Sequence, residues 1–547
     1  MQWDPGFAAQ VAKCASGSES HWNCVISRCS KLNMWQGACQ LFEAMRSSAA
    51  QMDVCTFNTI ISTCGKATRW QQALAFFTAM PEATLQSDEI SFNATISACA
   101  KGGQWQQALA LFHVMPGGKV QADVISFSAA ISACEKGGQW QRALILFQAM
   151  PEANVGTSDI ISFNATISAC EKCGQWQQAL SLFQDMARAQ VQADVISFNA
   201  AISSCEKGGQ WQQGLLLLQI MTETRVQADV ISFNAAISSC KKGGQWQRAL
   251  VLFQAMPKAK VATSSISFNA TISACEQGRQ WQQALSLFHD MPEAKHIADS
   301  ISFNSAISAC EKGGQWQHAL ALFHVMPGAQ VQADVVSFSA AISACEKGGQ
   351  WQWALALLQA MPEAKVAASD ISFNAGISAC EKCGQWQQAL FLFYNMPEAK
   401  LIADDVSFNS TISACEKGGQ WRLALVLFHA LPESKLEVSD VSFNSTISAC
   451  AKGGQWQQAL ALFQIMPVAK VRADVISFNA AISACDEGWQ WQRAWLLFHA
   501  TTQARLTADV TGFNSAISAC EMGGQWQQLS FLLSGLQAAL KLTPKRT

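Results

Sequence analysis

Apolar residues recur along this chain in two short patterns that alternate without pause. In Ile196–Cys205, the residues Phe198, Ala201, Ile202 and Cys205 fall at i, i+3, i+4 and i+7, which places them on one face of a helix. The expected start is at Ser197-Phe198-Asn199, where the serine hydroxyl can accept a hydrogen bond from a free backbone N–H. Gly208 and Gly209 then stop the helix in a turn. Further on, Trp246, Ala249, Leu250, Phe253 and Met256 share the same spacing, and Pro257 follows where a second helix should end. The small Ala249 in that stripe lets two such helices approach closely.

This pair of patterns is a repeat. Trp recurs from Trp35 to Trp526 every 35 residues, with one interval of 36 between Trp140 and Trp176. Fifteen units tile residues 19–544, starting at 19, 54, 89, 124, 160, 195, 230, 265, 300, 335, 370, 405, 440, 475 and 510. Residues 1–18 and 545–547 are short tails, so no separate catalytic domain is expected. One helical hairpin cannot bury its apolar faces alone. Stacked neighbours bury them continuously, and the predicted fold is therefore all-α, an α-solenoid of helix-turn-helix repeats. The Trp ladder lies in register with the core stripe of the second helix and is expected to be core, each buried indole removing ~200 Å² from water.

Composition sharpens this picture. Half the residues are hydrophobic and only 14% are charged, as a core shared between units would require. No apolar run is long enough to cross a membrane, and none is expected to. Met1–Ser18 carries Asp4 and a single Lys13, and resembles neither a secretory signal nor an Arg-rich transit peptide. The net charge of −2 gives no bulk sign of a nucleic-acid partner.

Within the unit, Phe-Asn at the fourth and fifth positions (Phe198, Asn199), Lys-x-Gly at the thirteenth to fifteenth (Lys207, Gly209), Ala-Leu-x-Leu-Phe at the twentieth to twenty-fourth (Ala179 to Phe183), Met at the twenty-seventh and Asp at the thirty-fifth (Asp194) recur in phase. In this the chain resembles the pentatricopeptide repeat family, over 526 of its 547 residues. It departs from the family pattern in Trp at position 17, Cys at position 11, and Met-Pro where the second helix usually continues. The resemblance is to arrays without a C-terminal editing or nuclease domain. It implies a right-handed superhelix, first helices on the concave face, and single-stranded RNA read at one base per repeat. It also implies RNA-processing proteins as further partners, a monomer, and a mitochondrion or chloroplast as the compartment, although no transit peptide is visible. The other repeat class compatible with two helices per unit is the tetratricopeptide kind, a protein-interaction scaffold; the 35-residue period and the Asn/Asp pair argue against it.

The resemblance assigns four ladders. Positions 5 and 35 would hydrogen-bond the base edge. Position 5 is Asn23, Asn58, Asn93, Ser128, Asn164, Asn199, Asn234, Asn269, Asn304, Ser339, Asn374, Asn409, Asn444, Asn479 and Asn514. Position 35 is Asp53, Asp88, Asp123, Asp159, Asp194, Asp229, Ser264, Asp299, Asp334, Ser369, Asp404, Ser439, Asp474 and Asp509, then Pro544. By resemblance Asn with Asp implies uridine, Asn with Ser cytidine, and Ser128 with Asp159 guanosine, giving a pyrimidine-rich tract 5′-UUUGUUCUU-N-UCUU-3′ read from the N-terminus. The structural alternative is that these residues serve helix starts, Asn bonding backbone and Asp capping the next helix.

Position 2 would pack on the base face: Ile90, Ile125, Ile161, Ile196, Ile231, Ile266, Ile301, Val336, Ile371, Val406, Val441 and Ile476. The alternative is an ordinary packed aliphatic. Position 13 would meet phosphate: Lys66, Lys101, Lys136, Lys172, Lys207, Lys242, Lys312, Lys347, Lys382, Lys417 and Lys452, with Lys31 in the first unit. The alternative is a lysine favouring a helix C-terminus.

The remaining chemistry is sparse. Position 11 is Cys in all fifteen units, on the apolar face, and reads as a small buried hydrophobe. Cys170/Cys173 and Cys380/Cys383 form Cys-x-x-Cys pairs six repeats apart, too distant to share a metal. Five of the eight His fall at position 25 of the second helix, away from the expected groove. No nucleophile-base set, phosphate loop or carboxylate pair stands out, so the expectation is a binding protein without catalytic activity, metal or cofactor.

Overall fold

The computed structural model describes residues 19–32, 34–47, 52–83, 85–115, 120–152, 159–434, 436–503, 510–530 and 532–533. The expected tails 1–18 and 545–547, with Asp509 and the Asn23 side chain, lie outside the described residues. The chain divides into two compact units, Met1–Ala274 and Cys275–Thr547. Every regular element among the described residues is helical.

The repeat that begins at Val195 shows how the sequence builds each hairpin. Its first helix is Val195–Lys207 and its second Trp211–Glu223. The first helix starts two residues before Ser197, and its N-cap is Asp194, the last residue of the preceding repeat. The Asp194 carboxylate accepts the Ser197 N–H at 2.9 Å, and the Ser197 hydroxyl accepts the Asp194 N–H at 3.2 Å. This reciprocal box satisfies two free donors at once. The serine is therefore a partner in the cap rather than the cap itself. Gly209 closes the helix with φ of 67°, a left-handed conformation that glycine adopts without penalty.

Second helices that meet a proline end in two ways. Trp246–Ala255 stops before Pro257, as the pattern implies. Helices carrying Pro151, Pro292, Pro362 and Pro432 run one residue past the proline. The proline there sits in the last turn, and the next N–H still reaches a helical carbonyl, as Ala294 does to Asp290.

The predicted core face is the observed one: Phe198, Ala201, Ile202 and Cys205 are all buried. Successive repeats are joined through aromatic pairs, position 24 of one against position 4 of the next. Phe183–Phe198 and Phe253–Phe268 in the first unit, and Phe323–Phe338 and Phe428–Phe443 in the second, meet edge-to-face with centroids 4.7–5.0 Å apart. Leu218 and Leu358 take the same place in two repeats. Within each unit first helices pack directly on successive first helices, whereas second helices such as Trp211–Glu223 and Trp351–Glu363 pack on the first helices to either side. Within each unit the first helices thus form a continuous row, with the position 2 side chains exposed along it.

The Trp ladder departs from expectation. Indoles from Trp35 to Trp491 are half-buried, and the fully buried side chains of the second helix are the small Ala and the Met, such as Ala249 and Met256. Indoles such as Trp70, Trp176, Trp211 and Trp456 lie on the turn of the next repeat. A Cβ added at Gly243 would sit 2.2 Å from Trp211 Cδ1, so position 14 must be small, and the Arg248 guanidinium covers the Trp211 ring at 4.5 Å. Trp is the first residue of its helix, at the edge of the apolar stripe, and the partner that half-covers it belongs to another repeat.

The aromatic joint sets a testable order of stability. Phe323→Leu should cost less than about 1.5 kcal/mol, since leucine already fills this place twice. Phe323→Ala should cost about 3–5 kcal/mol, read as lost hydrogen-exchange protection in the repeats on either side of the joint.

Candidate nucleic-acid interface

The ladders at positions 5 and 35 meet at junction after junction within each unit. Asn199 Nδ2 donates to Asp229 Oδ1 at 3.1 Å. The Ser232 hydroxyl, at position 3 of the next repeat, donates to Asn199 Oδ1 at 2.6 Å and to Asp229 Oδ1 at 2.9 Å. The same three-residue network joins Asn58, Asp88 and Ser91, and Asn93, Asp123 and Ser126. In the second unit it joins Asn304, Asp334 and Ser337, and Asn374, Asp404 and Ser407. Structural duty at these positions is thus real: the aspartate caps a helix and the asparagine braces the cap. The network spends the asparagine carbonyl and one amide N–H, which leaves the second N–H for a ligand.

Serine rungs keep the joint with other atoms. Ser128 Oγ donates to Asp159 Oδ2 at 3.0 Å, so Asp159 occupies its place despite the extra residue in that unit. Ser339 Oγ lies 3.4 Å from Ser369 Oγ, and Asn409 Nδ2 donates to Ser439 Oγ at 3.4 Å. Ser369 and Ser439 cap their helices as the aspartates do.

The aspartates titrate accordingly. Burial pushes the Asp123 carboxyl up, but hydrogen bonds from the Glu89, Ser126 and Asn93 side chains and the Ser126 N–H outweigh it and hold the pKa down at about 2. Asp194, Asp229, Asp334 and Asp474 are also lowered, burial being outweighed by bonds from the next serine and the bracing asparagine.

Position 2 is not packed in the core. Ile125, Ile196 and Ile371 are 63%, 60% and 67% exposed, and the whole ladder from Ile90 to Ile476 is more than half exposed. Such a regular row of solvent-facing aliphatics has no folding rationale within the repeat. In the first unit a concavity of about 410 Å³ gathers Asn93, Lys101, Ile125, Ser128, Lys136, Asp159 and Ile161, so all four ladders converge on it. In the second unit a concavity of about 360 Å³ gathers Asn444, Ile476, Asn479 and Thr511. Ser97 and Ser132 at position 9, and Glu135 at position 12, also line the first of these; sequence reasoning missed them.

Position 13 carries a surprise. Lys172, Lys207, Lys312, Lys347, Lys382, Lys417 and Lys452 each form an ion pair of 2.7–3.0 Å with the glutamate at position 12 of the preceding repeat. Ser308, Ser378, Ser413 and Ser448 hold the same carboxylates at 2.7–2.9 Å. The expected basic line is largely neutralised. The signal was in the sequence, since positions 12 and 13 become neighbours once first helices stack.

Cysteines at position 11 are buried, and burial pushes thiols such as Cys205 and Cys310 up to about 11 and about 12. The thiols of Cys173 and Cys383 donate to the Gly138 and Gly349 carbonyls, both at 3.2 Å. Among the described residues no group of His, Cys, Asp and Glu could hold a metal ion.

Comparisons with known proteins agree with this architecture. Sequence models of the PPR repeat family match residues 18–66, 52–101 and 158–207, and that of the pentatricopeptide repeat domain matches 216–278. The PPR repeat model matches 90–119, 125–155, 266–296, 301–331, 336–366, 371–401, 406–436 and 441–471. No curated protein matches the chain. Among solved structures, it is similar to the pentatricopeptide repeat protein PPR10 from maize, at 14% identity and a TM-score of 0.55, over 96% of this chain and 90% of that one. It is also similar to PPR10 in complex with an 18-nt psaJ RNA element, at 16% identity and a TM-score of 0.54, over 96% of this chain and 85% of that one. At such identity the likeness speaks to the fold.

The capping carboxylates predict an acid limit. Because Asp123 is held below its ordinary 3.8, its stabilisation is complete above about pH 4 and is lost as pH falls toward about 2. Helical circular dichroism at fixed temperature should stay level down to about pH 5 and fall below about 4. Asp123→Ser, which keeps a cap that does not titrate, should shrink that loss.

Proposed function

The chain belongs to the pentatricopeptide repeat family, and on that premise we propose that it binds single-stranded RNA through the inner stripe of its first helices. The observation that carries this reading is the concavity lined together by Ile125, Ile161, Ser128, Asp159, Lys101 and Lys136. A base entering there meets an exposed aliphatic side chain on each face. Its hydrogen-bonding edge meets the polar pair, and its phosphate lies toward the lysines. The braced network supports selectivity, because an amide held in one orientation presents one donor direction rather than a rotating choice. The related PPR10 has been crystallised with an RNA element.

The preferred ligand is a pyrimidine-rich strand, with uridine at Asn/Asp repeats, cytidine at Asn234/Ser264 and Asn409/Ser439, and guanosine at Ser128/Asp159. The action is steric and non-catalytic: occupying a segment shields it from nucleases, keeps it unpaired, or presents it to a processing enzyme. An organellar transcript fits the family.

Binding of labelled oligonucleotides tests this. The pyrimidine tract should bind more tightly than a purine oligomer of equal length, and indifference between them would sink the readout. Asn199→Thr should move preference from uridine toward purine at one nucleotide only. Ile231→Ala should weaken binding about five-fold, or about 1 kcal/mol, by stripping apolar contact from a base face.

A further inference from the structure

Lysines at position 13 are not equivalent. From Lys172 onward, each ion-paired lysine of this ladder faces a glutamate whose side chain is only 16–20% exposed. Taking such a lysine for phosphate would strand a mostly buried carboxylate beside the incoming anion. In the preceding repeats, position 12 is Ser30, Gly65 and Ala100, with no carboxylate. Lys66 donates to Ser30 Oγ at 3.2 Å, a neutral partner. Lys101 and Lys136 have no ion pair among the described residues, and both line the concavity beside Ile125.

We propose that the glutamate at position 12 decides which lysines meet phosphate, so that electrostatic docking of the strand is concentrated on Lys66, Lys101 and Lys136. This rests on the RNA reading above and deepens it. The later lysines are held as inter-repeat ion pairs, and their repeats bind through base faces and edges. Given the N-to-C reading direction, the 5′ part of the strand docks by charge and the rest follows by base contacts. Charge-steered encounter at one end also favours fast association there.

The salt dependence of binding to the pyrimidine oligonucleotide discriminates. For a single strand, log K falls with log salt by about 0.7 per phosphate neutralised. Three docking lysines predict a slope of about −2, or roughly a 20-fold loss between about 50 and 200 mM salt. A full line of twelve lysines, Lys31 included, predicts a slope near −8 and a loss above about 10⁴-fold. The double variant Lys101→Ala/Lys136→Ala should flatten the slope by about 1.4, and Lys347→Ala/Lys382→Ala should leave it unchanged. Glu346→Gln, which keeps an acceptor for Ser378 and releases Lys382, should steepen it by about 0.7. A parent slope near −8, or equal flattening by the two double variants, overturns this proposal while leaving RNA binding intact. Failure of the parent chain to bind any single strand overturns both.

Discussion

The carboxylate of Asp229 ends one repeat, caps the first helix of the next and holds the amide of Asn199 in place. Because one group does all three, the pitch from helix to helix and the orientation of the inner polar ladder are set together. The aromatic joint between positions 24 and 4 supplies the apolar half of the same connection, a few residues away in the stack. Neither works within a single hairpin. A repeat taken alone would lack both the donor for its last residue and the cover for its Phe, which is why stability in such a chain is a property of junctions.

On the proposed RNA reading, this arrangement makes a structural and a recognitive asparagine compatible. A side chain committed by two hydrogen bonds loses little further freedom when a ligand arrives, so fixing the fold and preparing the site are one expenditure of entropy. The exposed aliphatics at position 2 contrast with this, since they stand mostly in solvent at regular spacing. Their exposure, rather than the polar ladder, is what separates a ligand-facing stripe from a merely well-capped one.

Much of this was legible from residues alone. Phe198, Ala201, Ile202 and Cys205 share a helical period, and period is a local property, so the hairpin and its core came through. Three readings failed, and each depended on a neighbouring repeat. Ser197 read as an N-cap because Asp194 belongs to the preceding unit. Trp211 read as core because its spacing fits the stripe, although its cover is Gly243 and Arg248 from the next unit. The lysines read as a free line because Glu346 and Lys382 lie 36 residues apart and touch only once the helices stack.

The rungs also differ in what they do to a sliding ligand. A run of Asn/Asp rungs presents the same chemistry at each step, so a strand of like bases shifted by one repeat would find equivalent partners. Such a ladder resembles a vernier with unmarked divisions: occupancy is favoured by the number of equivalent placements, but position is undefined. Ser128, whose hydroxyl replaces the amide against Asp159, is a mark on that scale. So is Ser339 against Ser369. If the strand is read at one base per repeat as proposed, a few odd rungs in a uniform ladder contribute phase, fixing where along the strand the protein comes to rest.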